Sequence, residues 1–461
     1  MRNQEALVRS GIEHSGRESL WGRMTLVSPE TRPDNRMASS EGLAAALQAV
    51  EGSVALGGGG ERAVPSAGAI YPYEFYVVLA GRGAEASEVL GVDPVRRRCW
   101  RTGVGETSVR DQCLRAGIDP PGPGGALLVL VTRPWLSMRK YADRGYLYTQ
   151  LDAAHMAVNA LGASQGRGTE LRLRFDRRPL EALLGLVDRC REIHSVLHLD
   201  ATGDVALPDG WSVHAEGPVT EGTSWMEQVC WQSLLPMLSG DEDPAPVPGA
   251  QPLTHPAPSA DAAPDLSTER WTKLSRQRRS SKRYVSSAVP ADVVDQTLAA
   301  AGAALRTDLP PSSELGVTVL ARSVEGAPSR VFRLSGETVP QAAEAPDGDF
   351  IVRACMQQEH LRHAAAFVVF HAPRADLVTD RSTYMRELLF RAGGTAHLLY
   401  LGATAAGLGV TAIGGFDAAL WRTAAGLPED HDPVYIISLG ATGLGGIKWD
   451  RMPAAYAQSE G

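Results

Sequence analysis

Two kinds of apolar run alternate along this chain. The first is short and nearly continuous, as in ALLVLVTRP at 126–134 and AAFVVFHAPR at 365–374. Runs of this length, stopped by polar residues or proline, predict buried strands. EFYVVL, from Glu74 to Leu79, predicts a further strand from its aromatic and β-branched side chains. The second kind is longer, rich in alanine and carries one histidine: DAAHMAVNALGA at 152–163 and GGTAHLLYLGATAAGLG at 393–409. These predict helices. Pro290, followed by Val, Leu and Ala at a spacing near 3.6, predicts another helix start.

The runs recur in one order. Each strand-like run is followed by a tyrosine with basic neighbours, in RKYADRG (139–145) and STYMREL (382–388). The histidine helix comes next, then LLGL (183–186) or AAGL (424–427). Each series ends in a strand closing on one tripeptide, in VLHLDATG (196–203) and YIISLGATG (435–443). His155 precedes Ala201 by 46 residues, and His397 precedes Ala441 by 44. Shared order and spacing predict a tandem duplication. Residues 239–268 are rich in Pro and Ala and poor in large apolar residues, and predict a semi-extended linker that builds no core. The expected units are therefore 1–238 and 269–461, each the size of one domain.

The balance of charge is acidic, -8 over 461 residues. That disfavours a nucleic-acid binder, which carries a basic face. No apolar run reaches membrane-spanning length and the first residues lack the apolar core of a signal peptide, so a soluble cytoplasmic protein is expected. Five scattered cysteines without a CxxC predict reduced, mostly buried thiols. HLRH (360–363) has metal-like spacing but no third ligand cluster, so no metal is expected. GGGG (57–60) precedes a strand rather than a helix and predicts a surface loop, not a phosphate cradle.

Three short stretches carry candidate chemistry. Pro65, Ser66, Ala67 and Gly68 are small or rigid residues ahead of a strand. They serve either a tight turn or a surface that something approaches closely. Arg278, Ser280 and Lys282 alternate, so in an extended segment they share one face, as a single anion requires. A solvated basic edge has the same pattern. Lys140 and Tyr141 are adjacent. A tyrosine has an ordinary pKa of about 10, and a neighbouring ammonium favours its phenolate. His155 and His397, alone on Ala-rich helices, are expected to be hydrogen-bonded core residues.

Together these words resemble the SagB-type azoline dehydrogenases of the flavin-dependent nitroreductase superfamily. RAVPSAGAIYPYEFYVV (62–78) is similar to the subfamily's Pro-Ser-Ala-Gly-x-x-Tyr-Pro element, and RKYADRGYLYTQLDAAH (139–155) to its Lys-Tyr-x-x-Arg-Gly-Tyr segment. RRSSKRY (278–284) resembles the superfamily's opening Arg-x-Ser-x-Arg/Lys motif, and GLGVTAIGGFD (407–417) its Gly-Phe-Asp segment. The resemblance covers roughly 60–205 and 270–452.

It implies an α+β fold, a mixed sheet flanked by helices, which in the family forms an intertwined dimer with FMN at the interface. A duplicated chain would be a pseudo-dimer supplying both partners. Implied for FMN are Arg278, Ser280 and Lys282 at the phosphate, with Lys448 and Arg451 as further cations. Gly414 and Gly415 are implied as cofactor-binding, and Pro65, Ser66, Ala67 and Gly68 lie against the flavin ring. Lys140 and Tyr141 are implied as the catalytic base pair for oxidising azolines to azoles. The implied partners are an azoline-containing precursor peptide and a cyclodehydratase. Two rivals remain open: an NAD(P)H-dependent nitro- or quinone reductase, and a flavin-free scaffold that docks such partners.

The motifs are unevenly shared. The Arg-x-Ser-x-Lys word and Gly414-Gly415 stand only in the second half, where Thr383-Tyr384 replaces Lys140-Tyr141 and PPSSELGV (310–317) replaces the Pro-Ser-Ala-Gly word. One complete site per chain is therefore expected, drawn from both halves.

Overall fold

The computed structural model describes residues 41–53, 62–80, 87–102, 108–164, 169–187, 189–200, 207–215, 225–238, 249–254, 266–311, 314–337, 339, 346–377, 382–443 and 447–448. The first half contains α1 (Glu41–Ser53), β1 (Tyr73–Leu79), β2 (Glu88–Asp93), β3 (Arg98–Arg101), α2 (Val109–Arg115), β4 (Ala126–Thr132), α3 (Trp135–Tyr141), α4 (Arg144–Ala163), β5 (Glu170–Arg172), α5 (Arg177–Leu184), β6 (Glu192–Leu199), β7 (Ser212–His214) and α6 (Trp225–Leu238). Then come β8 (Gly249–Gln251), α7 (Thr268–Gln277), β9 (Ser280–Ser281), α8 (Ala291–Ala299), β10 (Leu305–Thr307), β11 (Gly316–Ala321), β12 (Arg330–Arg333), α9 (Gly348–Ala354) and β13 (Ala366–Pro373). The chain continues through α10 (Arg374–Leu377), α11 (Ser382–Ala405), β14 (Gly409–Ile413), α12 (Ala418–Ala424), β15 (His431–Gly440) and β16 (Ile447–Lys448).

One strand order occurs twice. The first half holds β2-β1-β4-β6-β5 inside a nine-stranded mixed sheet, and the second holds β12-β11-β13-β15-β14. Irregularities repeat as well. The register of β4 on β6 shifts between Leu130 and Val131, and that of β13 on β15 between Phe370 and His371. Gly185 and Gly426 both turn left-handed after a helix, at φ 65° and 57°. Each is followed by a leucine whose N–H returns to the helix, on the carbonyls of Glu181 and Arg422. This cap needs a residue that tolerates positive φ, which is why LLGL and AAGL recur.

The two histidine helices, α4 and α11, pack against each other. A Cβ on Gly393 would stand 2.8 Å from the Ala154 Cβ and from the Leu151 carbonyl, so the backbones touch. Both helices are covered nearly all round, which explains an Ala-rich pattern without a polar face. His155 Nε2 pairs with the Tyr435 hydroxyl at 3.1 Å, and His397 Nε2 with Asn159 Oδ1 at 3.0 Å. Both rings are fully buried, and burial drives their pKa values down. They are core residues.

The 239–268 stretch departs from expectation where it is described. Residues 249–251 form β8 on β10, which itself pairs with β5 of the first half, and Leu253 is fully buried. Strand pairing uses backbone, and one leucine fills a hole, so a composition poor in apolar residues did not reveal either. GGGG (57–60) lies outside the described residues.

Candidate functional site

A cleft of ≈ 540 Å³ opens between the halves. From the first half come Pro65, Ser66, Ala67 and Gly68, then Tyr141, Arg144, Tyr148, Leu151 and Asp152. From the second come Ser280, Met356, Gln358, Tyr400, Thr411, Ala412, Gly414, Gly415 and Tyr435. Residues from four of the stretches named in the sequence thus meet, although they are separated by up to 350 residues.

The Pro65–Gly68 turn lies beneath the Lys140–Tyr141 pair. Gly68 has φ 65°, and a Cβ there would stand 2.5 Å from the Tyr141 hydroxyl and 2.6 Å from Lys140 Nζ. The small residue is therefore required by the pair itself. Lys140 Nζ sits 4.8 Å from the centre of the Tyr141 ring. The pair ends α3, and Ala142 at φ 50° breaks the chain into α4. Tyr148 of α4 packs edge-on against Tyr141, ring centres 5.0 Å apart, and donates to the Gly414 carbonyl at 2.5 Å. Burial raises the Tyr148 pKa, against the opposing pull of Arg144.

Gly414 and Gly415 line the opposite wall. A Cβ on Gly414 would press on the Tyr148 ring at 3.2 Å, and one on Gly415 would meet Gln358 Nε2 at 3.4 Å. Gln358 donates to the Gly415 carbonyl at 2.8 Å. Arg144 reaches the Gly414 and Phe416 carbonyls, both at 3.4 Å.

The basic word is divided by the fold. Arg278 is buried, with Nε donating to the Ala63 carbonyl at 2.7 Å and Nη2 to the Arg62 carbonyl at 2.8 Å. Its Nη1 donates to Ser280 Oγ at 3.2 Å. Arg278 thus clamps the chain just before Pro65, and of the three alternating residues only Ser280 lines the cleft. Lys282 is exposed. The shared face therefore extends over Arg278 and Ser280 but is not one on which all three line the cleft. Lys448 pairs with Ser280 across β16 and β9. The Lys448 side chain and Arg451 lie outside the described residues.

Residues 275–441 match the Nitroreductase family. A structure from Anabaena variabilis named as a nitroreductase is 18% identical, covers 87% of this chain and 88% of its own, and superposes with a TM-score of 0.63. That likeness shows a nitroreductase-like fold over both halves. A Ralstonia eutropha protein also named as a nitroreductase is 16% identical and covers 44% of this chain and 98% of its own, TM-score 0.28. The E. coli microcin synthetase McbBCD complex with truncated pro-MccB17 bound is 17% identical over 35% of this chain and 67% of that one, TM-score 0.29. No curated protein matches the sequence.

The strand order occurs twice, and the positions equivalent to those lining the cleft are closely packed, each in the other half. Counted from His155 and His397, Gly394 stands where Asp152 does. The Leu253 side chain lies over it, 2.5 Å from a Cβ there. The Leu253 carbonyl is held by Arg391 Nη1 at 2.9 Å. Counted from the Phe-Asp pairs, Leu173 and Arg174 stand where Gly414 and Gly415 do. Their N–H groups donate to the buried Asp308 carboxylate, both at 2.9 Å, and Arg174 is paired with Glu387.

Sequence reasoning missed Asp152, Tyr148 and Arg144. The available signal was a lone carboxylate in an otherwise apolar part of the helix, three residues before His155. Backbone strain also gathers here. Of the seven non-glycine residues with positive φ among those described, Ala69, Tyr71, Ala142, Met356 and Gln357 lie in or beside the cleft-lining segments. Each such position costs on the order of 1–3 kcal/mol, a cost that recurs at functional sites. Among the described residues no group of three or more metal-ligating side chains occurs, and no helix is long and apolar enough to cross a membrane.

Proposed function

We propose that this chain is an FMN-dependent oxidoreductase that oxidises azolines to azoles in a ribosomally made, post-translationally modified peptide, after a cyclodehydratase has formed the rings. The observation that carries the reading is the convergence of Lys140 and Tyr141 on Gly68, at the wall of a cleft built from both halves.

The residues present fit FMN. The cleft has the volume of a cofactor site, roughly 300–1,000 Å³. Its small residues at 67, 68, 414 and 415 leave the space that larger side chains would fill. Ser280, with Arg278 behind it and the Lys448 backbone opposite, would take the phosphate end. Pro65–Gly68 would lie along the ring. Bound FMN supplies a hydride acceptor.

The chain's own residues do the rest. Tyr141, as its phenolate, would take the proton from the azoline carbon next to the one that loses hydride and become the neutral phenol. The Lys140 ammonium, beside the phenol ring, would favour that phenolate before the transfer. Tyr148 would keep the Tyr141 ring from rotating away, through its edge contact and its bond to Gly414.

Rapid-mixing measurements test the reading. An azoline peptide should reduce the bound flavin in one turnover and yield the azole, while NADPH should reduce it far more slowly. Fast reduction by NADPH with an inert azoline peptide would instead support the nitro- or quinone reductase. A protein colourless after mild purification would support the scaffold.

The close packing at the equivalent positions sets the stoichiometry. Flavin released from purified protein should approach one per chain, because Leu253 and the Arg174–Glu387 pair occupy the equivalent space. A ratio near two would show that this packing gives way.

A further inference from the structure

We propose that Asp152 is a positioning residue: its carboxylate holds the Pro65–Gly68 turn in a strained form and so sets where Lys140 and Tyr141 stand over the cleft. The idea rests on the functional reading above only for what the pair then does.

The turn needs an external hold. Gly68, Ala69 and Tyr71 all have positive φ, at 65°, 56° and 52°. Only glycine adopts that conformation freely, so a short segment with two further residues of this kind does not keep it unaided. Asp152 supplies the hold. Ser66 Oγ donates to Asp152 Oδ2 at 2.5 Å, and the Ala67 N–H donates to both carboxylate oxygens at 3.1 Å. The Tyr71 N–H donates in turn to Ser66 Oγ at 2.9 Å. One carboxylate thus organises three donors, at both ends of the strained segment. Gly68, directly after Ala67, carries the position over which Tyr141 and Lys140 stand.

The carboxylate is buried, 3% exposed, in the middle of α4. Burial raises its pKa to about 7, with the Ser66 and Ala67 bonds pulling the other way. Tyr148, one turn back on α4, and Tyr435 of β15 feel its charge. Tyr400 of α11 lines the same cleft, with the Arg278 guanidinium 5.5 Å from its ring. His155, one turn further along α4, is kept neutral by burial. Arg144, the one cation lining the cleft among the described residues, is turned to the Gly414 and Phe416 carbonyls. Lys140 and Tyr141 stand over Gly68, with Tyr141 against Tyr148. Above about pH 7 the ionised carboxylate accepts from both Ser66 and Ala67. Below it, the proton removes acceptor capacity and the turn loosens.

The test uses the full chain carrying its flavin, with Asp152→Asn and Ser66→Ala. Two readouts are taken: amide-exchange protection at Ala67 and Tyr71, and the pH profile of single-turnover oxidation. Wild-type rates should fall as pH drops through about 7. Asp152→Asn should lose protection at both amides by roughly tenfold, as expected for losing a charge-assisted hydrogen bond, and should lose the part of the acidic limb centred near pH 7. Ser66→Ala removes a bond that lowers the Asp152 pKa, so its limb should move to higher pH. Unchanged protection in Asp152→Asn overturns the proposal. If that variant does not fold, Ser66→Ala decides, and an unmoved limb overturns it. Should wild type bind flavin and show the exchange effect yet leave azolines untouched, the substrate reading fails and the positioning role stands.

Discussion

Tyr141→Phe should keep the fold and the cofactor and lose azoline oxidation by about 10²- to 10⁴-fold, the usual cost of removing a general base. Phenylalanine preserves the ring that packs on Tyr148, so a structural effect should be small. What goes is the hydroxyl facing Gly68 and Lys140. Lys140→Ala should also be slow, with part of the loss recovered at higher pH, where a phenol ionises unaided. Tyr384→Phe, the mirror change, should do little. Burial and then the carboxylates of Asp376, Glu314 and Glu387 push the Tyr384 pKa up to about 12, which makes it a poor base. Single-turnover oxidation of an azoline peptide across a pH series checks all three. A near-native rate for Tyr141→Phe, at equal flavin content, would remove this residue from the mechanism.

Arg278→Ala should weaken both the fold and cofactor binding. The guanidinium is the donor for the buried Arg62 and Ala63 carbonyls, so its loss leaves them short of partners. Each unmet buried acceptor costs on the order of 1–3 kcal/mol, and the sum should appear as a lower unfolding midpoint. FMN affinity should fall roughly ten- to a hundredfold, through loss of the charge behind Ser280 and of the clamp ahead of the ring platform. Arg278→Lys keeps the charge without the planar fork. It should recover more of the affinity than of the stability. Denaturant unfolding and flavin titration measure the two effects separately. Stability and affinity both unchanged in Arg278→Ala would refute the clamp and the phosphate role together.

The sequence alone determined the elements and their repetition. Buried strands such as 126–132 and 366–373 and the two histidine helices depend on neighbouring residues in the chain. Periodicity and turn chemistry are local, so they can be read directly. The same holds for the Lys140–Tyr141 pair and the Pro65–Gly68 turn as words. Only the tertiary structure decided what those words touch. It set the turn under the pair and Asp152 beneath the turn. It turned Arg278 onto backbone 215 residues away while leaving Lys282 exposed. It also brought Leu253, from a stretch with the composition of a linker, over Gly394, the counterpart of Asp152. The first of these come from segments of the first half about 85 residues apart packing together, and the placing of Arg278 depends on which surfaces meet when two similar halves close on each other. Burial and hydrogen-bond partners across that interface are properties of the pair of halves, and no window of sequence contains both sides of it.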